Sequence, residues 1–401
     1  MAIAGMRGTG TWGTDKIERP TNFREMILWL SPNGQAPLTA LLAKMSSKST
    51  DDPEFSWWEE KLDNFRLSIP AQISNTATTL SFTTSADFDA YSLVPNDMLL
   101  IENAAADLAA SPFEIVEVVS ITNGTQVVVT RGQAGTTAAT AITSSFVTRL
   151  GSVFAEGSSS PSVSSNRPTR VVNYAQIFKT AYELTNTAKE TNVRTGDPLK
   201  QEKKRKSFKH SVSMEMAFLL NMAPTELNGT SNQPKRMTGG LRNFLTSNRT
   251  VFTTTVTEAS WIESIRPVFD YDGGGGNERL AFIGNGYATR ISQLAKAGTE
   301  FHLSSPIRLY GMELQKWVLP MGTVYFRTHP LMNTHGRYTY SAFFVDGSSL
   351  VYRPMRNRDT KPQDNIQLPD ADTQKGQWLT EAGLEIHHQQ TMAYHGNLTT
   401  V

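Results

Sequence analysis

The sequence predicts an α+β fold, because strand-like and helix-like hydrophobic patterns occupy separate parts of the chain. Short runs rich in β-branched residues, with apolar residues at alternating positions, fill 67–150 and return after residue 307. Between them, residues 199–222 contain neither Gly nor Pro, so a long uninterrupted helix fits there. With 401 residues, 39% of them hydrophobic, the chain is long enough for roughly two or three packed regions.

Composition argues against several function classes. There is no Cys, which removes disulfides, thiol nucleophiles and cysteine metal sites and fits a chain made in a reducing cytosol. No apolar run approaches the roughly 18 residues of a membrane span, and residues 1–16 lack the basic-then-apolar order of an export signal. The formal net charge of +1 means that any nucleic-acid contact has to come from a local patch.

Residues 1–67 predict an extended N-terminal arm, because Gly, Pro and Ser separate their short apolar segments. Within the arm, residues 37–45 predict a short amphipathic helix with Pro at a tolerated first-turn position. Its apolar positions are Pro37, Leu38, Leu41, Leu42 and Met45. The arm ends in FSWWEEKL, where Trp57 and Trp58 suit a partly buried extended segment, packed either on another subunit or on the chain's own core.

Residues 68–147 predict a small antiparallel β module. Asn123-Gly124, between two strand-like runs, is the strongest short-range signal for a hairpin. The nearby Arg131, Gly132 and Gly135 could be mistaken for a phosphate loop. That interpretation fails because no Gly-Lys-Ser/Thr ends the segment and no helix follows for a phosphate to bind.

A large loop over 148–187 precedes the long helix. Two extended arms flank a polar Ser/Pro/Asn tip that is too large for an ordinary hairpin turn, and its serines lack a GxSxG elbow. Asp197 and Pro198 then supply an N-cap and a first-turn Pro for a helix over 198–222. The first half of this helix is basic and its second half is apolar nearly all round.

The C-terminal half predicts alternating helices and strands. Residues 257–271 form the first predicted helix, capped by Thr257 or Glu258, and residues 286–298 form the second. The β-rich segments are 307–319, 322–332, 337–346, 349–355 and 383–398.

Candidate enzyme and metal sites are weak. His387 and His388 are adjacent, so in a strand they point to opposite faces and cannot easily share one ion. Asp270 and Asp272 lack the further acidic ligands of a calcium loop, and glycines 273–276 indicate a flexible connector. The sequence therefore predicts no enzymatic activity, no cofactor and no metal.

The order of the segments carries a family resemblance. NGQAPLTALLAKM and FSWWEE precede VVVTRGQAGTTA, EGSS, NYAQIF and FIGNGYATRISQLAKAG, and the chain closes with FFVDGSSLVYRPMRNRDT and TEAGLEIHHQQTMAYHGNL. This order resembles the HK97-fold major capsid (major head) proteins of tailed bacteriophages, in a subfamily with an inserted N-terminal β module. The resemblance spans nearly the whole chain.

The resemblance implies an α+β, HK97-like major capsid fold with a small inserted antiparallel β module. Its expected parts are an N-terminal arm (1–67), the inserted module (68–147), an extended loop (148–187), a peripheral domain (188–250) with the spine helix (198–222), an axial domain (251–330) and C-terminal strands returning to the peripheral domain (331–401).

The implied function is self-assembly into the icosahedral head shell that encloses the double-stranded DNA of a tailed bacteriophage. Expected partners are further copies, as hexamers and pentamers, together with packaged DNA bound without sequence preference; portal, scaffold and decoration proteins are further candidates. The expected location is the virion, after assembly in the host cytoplasm, with no membrane involved. Another virion structural protein, such as a tail-tube, decoration or fibre component, remains the alternative.

Two sets of residues follow as candidate sites. The predicted intersubunit contacts are Leu38, Leu41, Leu42, Trp57, Trp58, Glu156, Ser158, Pro161 and Arg167. The second set, on the basic half of the long helix, is Lys203, Lys204, Arg205 and Lys206. Three interpretations of that basic face stay open: a solvated surface, salt bridges to a neighbour's acidic segment such as Glu59-Glu60, or phosphate contacts with packaged DNA.

Overall fold

The computed structural model describes residues 46–60, 65–83, 89–102, 113–138, 145–161, 163, 168–191, 196–297, 304–309, 312–334 and 336–401. The predicted helix at 37–45, with Leu38, Leu41 and Leu42, lies outside the described residues, as does Arg167. The chain divides into two compact units. One is Ser56–Val172, and the other joins Asn173–Val401 to the described residues up to Phe55.

The unit Ser56–Val172 is built from strands. In chain order, with the two that cross its boundary, they are β1 (Glu54–Glu59), β2 (Arg66–Ser68), β3 (Thr79–Ser81), β4 (Asp97–Glu102), β5 (Glu114–Asn123), β6 (Gln126–Gln133), β7 (Phe146–Ser152) and β8 (Thr169–Tyr174). β1 and β8 form a two-stranded sheet. The others form a six-stranded antiparallel sheet in the order β2-β7-β4-β5-β6-β3.

Alternating apolar residues explain this sheet. Along β4, buried and half-buried positions alternate, and Leu99 and Ile101 enter one hydrophobic core. The Asn-Gly hairpin is confirmed between β5 and β6, where the Asn123 side chain accepts a hydrogen bond from the Thr125 amide at 2.9 Å. Arg131 binds the buried carboxylate of Glu114 through two hydrogen bonds of 2.6 and 2.5 Å, so the rejected phosphate-loop segment serves to join two strands.

The second unit contains all the described α-helices and the remaining strands. They are β9 (Gln176–Thr185), α1 (Asn186–Glu190), α2 (Pro198–Leu220), β10 (Thr225–Asn228), β11 (Pro234–Met237), α3 (Leu241–Phe244), β12 (Arg249–Val251), α4 (Glu258–Ile265), β13 (Glu278–Ile283), α5 (Asn285–Ala297), β14 (Ser304–Leu309), β15 (Met312–Leu319), β16 (Gly322–Thr328), α6 (Pro330–Thr334), β17 (Ala342–Val345), β18 (Leu350–Pro354), β19 (Lys361–Gln363), β20 (Thr373–Ile386) and β21 (Ala393–Gly396).

Three sheets organise this unit. A seven-stranded sheet runs β12-β21-β17-β13-β16-β15-β14, and β10 and β11 form a hairpin. In the four-stranded sheet, the long strand β20 pairs with β18, β19 and β9. The α+β class predicted from the sequence is confirmed by this mixture of helices and sheets.

The long helix α2 lies on the antiparallel pair β9 and β20. Asp197 caps it by accepting the Leu199 amide at 2.9 Å, and Pro198 begins it, so its predicted start is confirmed. Its 23 residues extend about 35 Å at 1.5 Å per residue. Phe218 on its apolar half meets Phe178 of β9 edge to face, with ring centroids 6.2 Å apart.

A second core forms between α4, α5 and one face of the seven-stranded sheet. Thr257 begins α4 with a reciprocal capping box to Ser260, which settles the predicted choice between Thr257 and Glu258. Trp261 of α4 stacks on Trp317 of β15 with ring centroids 4.4 Å apart, and both are fully buried.

The prediction of one continuous β-rich segment over 383–398 is wrong. β20 ends at Ile386, and β21 begins at Ala393 after a 3₁₀ turn at Gln389–Thr391. His388 has a left-handed backbone with φ of 49°, which reverses the chain. The argument that His387 and His388 point to opposite faces of a strand therefore does not apply.

Two other strand predictions also need correction. In 322–332, β16 ends at Thr328 because Pro330 begins the short helix α6. In 337–346, a 3₁₀ turn at Tyr338–Tyr340 precedes β17.

We expect acid to destabilise the second unit through His395, which is fully buried. Burial lowers the pKa of His395 to about 3, whereas an unfolded His has a pKa of about 6.5. Between these values the unfolded chain binds the extra proton, so the free energy of unfolding falls as pH falls, by up to about 1.4 kcal/mol per pH unit. Urea unfolding of His395→Phe subunits from about pH 6.5 to 4.5 should show a shallower fall than wild type.

His387→Phe is the matched control, because the His387 side chain is 34% exposed. It should keep the wild-type pH dependence. An unchanged slope in His395→Phe would contradict the assignment.

Candidate functional site

The extended loop, described here at 150–161, 163 and 168–172, is the most exposed part of its unit. Each residue from 152 to 161 is exposed, including the predicted contact residues Glu156, Ser158 and Pro161. The Ser158 amide donates to the Ala155 carbonyl at 3.1 Å, and Gly157 between them has φ of 76°. A turn thus holds this part of the loop away from the core.

Apolar side chains are exposed on the same loop. They are Leu150 at 54%, Val153 at 62%, Phe154 at 38% and Val163 at 95% exposed. The sequence interpretation stressed the polar tip and missed these residues. The detectable signal was the Val-Phe pair after Gly151 and the single Val among serines. Neighbouring exposed apolar residues of this kind mark interaction surfaces.

The two tryptophans of β1 behave differently. Exposed and buried residues alternate along this strand, since neighbouring side chains point to opposite faces. Trp57 is buried, and its indole N–H donates to Glu59 Oε1 at 2.7 Å. Trp58 is 65% exposed. Of the two interpretations left open by the sequence, Trp57 therefore fits packing within its own chain, and Trp58 stays available to another subunit.

Three of the four predicted basic residues on α2 have acidic partners in their own chain. Lys203 Nζ lies 2.9 Å from Asp364 Oδ2, and the side-chain hydroxyl of Tyr182 also donates to Asp364. The hydrogen bond from Tyr182, followed by that from Lys203, lowers the pKa of the Asp364 carboxyl. The hydrogen bond to Asp364 in turn raises the pKa of Lys203.

Glu202 binds the other two. Its carboxylate lies 3.0 Å from Arg205 Nη1 and 3.4 Å from Lys206 Nζ, at the helical spacings at which side chains meet. The sequence predicted solvent, a neighbour or DNA as partners, and did not include these pairs within the chain. Lys204 is exposed.

The other candidate sites have structural roles. Arg279 is buried and donates to the carbonyls of Gly276 at 2.6 Å and Thr391 at 2.9 Å, which anchors the glycine segment. The Asp272 carboxylate accepts the Gly274 amide at 2.8 Å. Within the described residues, no group of three or more His, Asp or Glu side chains is placed to hold a metal ion. No helix in that part of the chain is long and apolar enough to cross a membrane.

The family model described as SU10 major capsid protein matches residues 5–399. The chain belongs to this family. It is also 23% identical over 350 residues to the major capsid protein of Pseudomonas phage PaMx41, covering 85% of this chain and 80% of that protein. The resemblance to phage major capsid proteins is thus confirmed.

Solved structures give weaker likenesses. The capsid of a native GTA particle has a TM-score of 0.48 at 8% identity, covering 97% of this chain and 98% of that chain. A chain of Mycobacterium phage Ogopogo has a TM-score of 0.48 at 11% identity, covering 96% of this chain and 98% of that chain. Because both TM-scores lie below 0.5, the family assignment rests on the sequence matches.

Membership of the SU10 major capsid protein family gives the chain its function. It is a phage major capsid protein, a component of the icosahedral shell and hence of the virion. A shell is built from many copies, so other copies of this chain are among its partners. The predicted HK97-like fold agrees with the observed order of an extended loop, a long helix and C-terminal strands.

We expect Val153→Ser with Phe154→Ser to impair assembly without unfolding the subunit. Both side chains are exposed, so their replacement removes little from the subunit's own core. Sedimentation should show fewer shells at an unchanged melting temperature. Thr148→Ser, in the preceding strand, serves as a control that should assemble normally. A large drop in melting temperature, or full assembly, would contradict an interface role.

Proposed function

We propose that this major capsid protein assembles in the bacterial cytoplasm, as hexamers and pentamers, into the head shell of a tailed phage around double-stranded DNA. The observation that carries the proposal is the exposed extended loop with its apolar side chains. On an isolated subunit these side chains face water. Burying them on an adjacent copy would contribute roughly 25 cal/mol for each Å² of apolar surface covered.

Within the shell, we propose that the predicted parts keep their assigned roles. The arm (1–67) and the extended loop (148–187) would reach neighbouring copies, and the module (68–147) would form a separate body. The proposed peripheral domain contains α2, and the proposed axial domain (251–330) contains α4 and α5. Support comes from the two hydrophobic cores of the second unit, one around α2 and the other around the Trp261 stack.

The proposed intersubunit contacts are the exposed residues Trp58, Glu156, Ser158 and Pro161, together with Leu38, Leu41, Leu42 and Arg167 from the sequence. DNA contact would be made to phosphates only and would weaken with salt. The carboxylates beside Lys203, Arg205 and Lys206 offset much of the positive charge there, so we expect this contact to be weak. Portal and scaffold proteins would be bound by other surfaces of the assembled shell.

The central test is negative-stain microscopy of the purified protein. Closed shells or hexamers support the proposal. Tubes would indicate a tail protein, and small uniform particles would indicate a decoration or binding module.

Deleting 158–167 should leave a soluble, folded subunit that cannot close shells. The described residues 158–161 and 163 are exposed, so their loss removes an intersubunit contact and not the core. Assembly is measured by sedimentation and microscopy. Replacing the segment with Gly and Ser at equal length is the control that separates loop reach from side-chain contacts. Normal shells from the deletion would refute the docking role.

In the arm, Leu41→Ser with Leu42→Ser should reduce assembly or stability. A buried leucine contributes roughly 2 to 5 kcal/mol relative to a truncated side chain. The measurements are shell yield and melting temperature, with Ser46→Ala as the control. If both variants match wild type, the segment is a surface helix without a partner.

A further inference from the structure

One end of the β9 and β20 pair forms an acidic projection that the sequence interpretation did not identify. We call residues 364–372, between β19 and β20, the acidic tip. Two contacts hold it in place: Asn186 Nδ2 donates to Asp372 Oδ1 at 2.6 Å, and the Ile366 amide donates to the Lys375 carbonyl at 3.0 Å. The tip is therefore anchored at both ends.

Apolar and acidic side chains are exposed together on the acidic tip. Leu368 is 71% exposed and Ile366 is 39% exposed. Asp370 and Asp372 are exposed on the same segment. Apolar side chains bordered by charged ones are typical of protein interfaces, where the rim is polar and the centre is dry.

A basic surface lies beside this tip on the first half of α2. We call its exposed residues Lys200, Lys204, Arg205 and Lys209 the basic stripe. The Lys200 side chain is 85% exposed. The ion pair between Lys203 and Asp364 joins the tip to the helix, so opposite charges stand side by side on one end of the subunit.

This arrangement favours a second copy over nucleic acid. A phosphate backbone attracted to the stripe would approach the carboxylates of Asp370 and Asp372, which repel it. A second copy brings both signs of charge, so a two-fold related pair can place the tip of each subunit on the stripe of the other. Leu368 would be covered in the same contact.

We propose that the acidic tip of one subunit docks on the basic stripe of a second copy, and that this contact joins neighbouring subunits of the shell. The inference rests on the proposed assembly function. It adds a specific, charge-paired contact that is separate from the extended loop.

Charge reversal with rescue tests the contact. The first variant combines Asp370→Lys with Asp372→Lys, and the second combines Lys200→Glu with Lys204→Glu. Each variant alone places like charges opposite each other and should lose most closed shells. A variant with all four changes restores opposite charges and should regain them. Mixing the first and second variants should also restore assembly, because each then complements the other.

Controls separate the possible failures. Asp51→Lys with Asp52→Lys reverses an exposed acidic pair elsewhere and should leave shells intact. Melting of the unassembled subunits checks that every variant folds. If wild-type protein forms no shells, the proposed function fails. If wild type and both charge-reversed variants all form shells, only the docking inference fails.

Two results would overturn the inference directly. One is a four-change variant that assembles as poorly as its parents. The other is normal shells from Lys200→Glu with Lys204→Glu that retain less DNA, which would identify the stripe as a genome contact.

Discussion

The packing of α2 on β9 and β20 is the constraint on which the larger unit depends, because it joins segments far apart in sequence. His210 lies at the centre of this contact. Its ring nitrogens lie 3.1 Å from Thr180 Oγ1 on β9 and 2.8 Å from Thr380 Oγ1 on β20. Burial lowers the pKa of His210, so the neutral ring can donate to one hydroxyl and accept from the other. One side chain thereby fixes the helix against both strands.

A second buried contact connects α2 to the seven-stranded sheet. His329 Nε2 lies 2.8 Å from Glu215 Oε1, and both side chains are fully buried. Because His329 Nδ1 accepts the Leu331 amide at 3.2 Å, the hydrogen is on Nε2, which donates to the carboxylate. Losing one partner of a buried ionic pair typically costs about 3 to 5 kcal/mol. The helix is therefore tied to both sheets by polar contacts that exclude alternative placements.

Local features were the ones that the sequence could predict. The cap at Asp197, the capping box at Thr257 and the Asn123 hairpin each depend on residues within a few positions, and all three are present. The long helix and the α+β class follow from periodicity in the same way. The turn at His388 was missed because its neighbours have the composition of a strand.

The site was harder to predict because its contacts join distant residues. The pair of Lys203 with Asp364 spans 161 positions, and no local pattern indicates it. Trp57 and Trp58 could not be separated until the pairing of β1 fixed which face each one occupies. The apolar residues of the extended loop were visible in the sequence, but their exposure depends on the fold. Sequence order identified the family, whereas the individual contacts required the tertiary structure.

The distribution of charge and apolar surface explains how one chain can be both soluble and self-associating. Its largest aromatic residues, such as Trp261 and Trp317, are buried in its own cores. The exposed apolar residues, including Val163 and Leu368, lie on projecting segments. Each of these covers a small area, and Leu368 has charged neighbours, so isolated subunits would attract each other only weakly. In a closed shell many such contacts act at once, and weak individual contacts then give a stable assembly that can still correct errors while it forms.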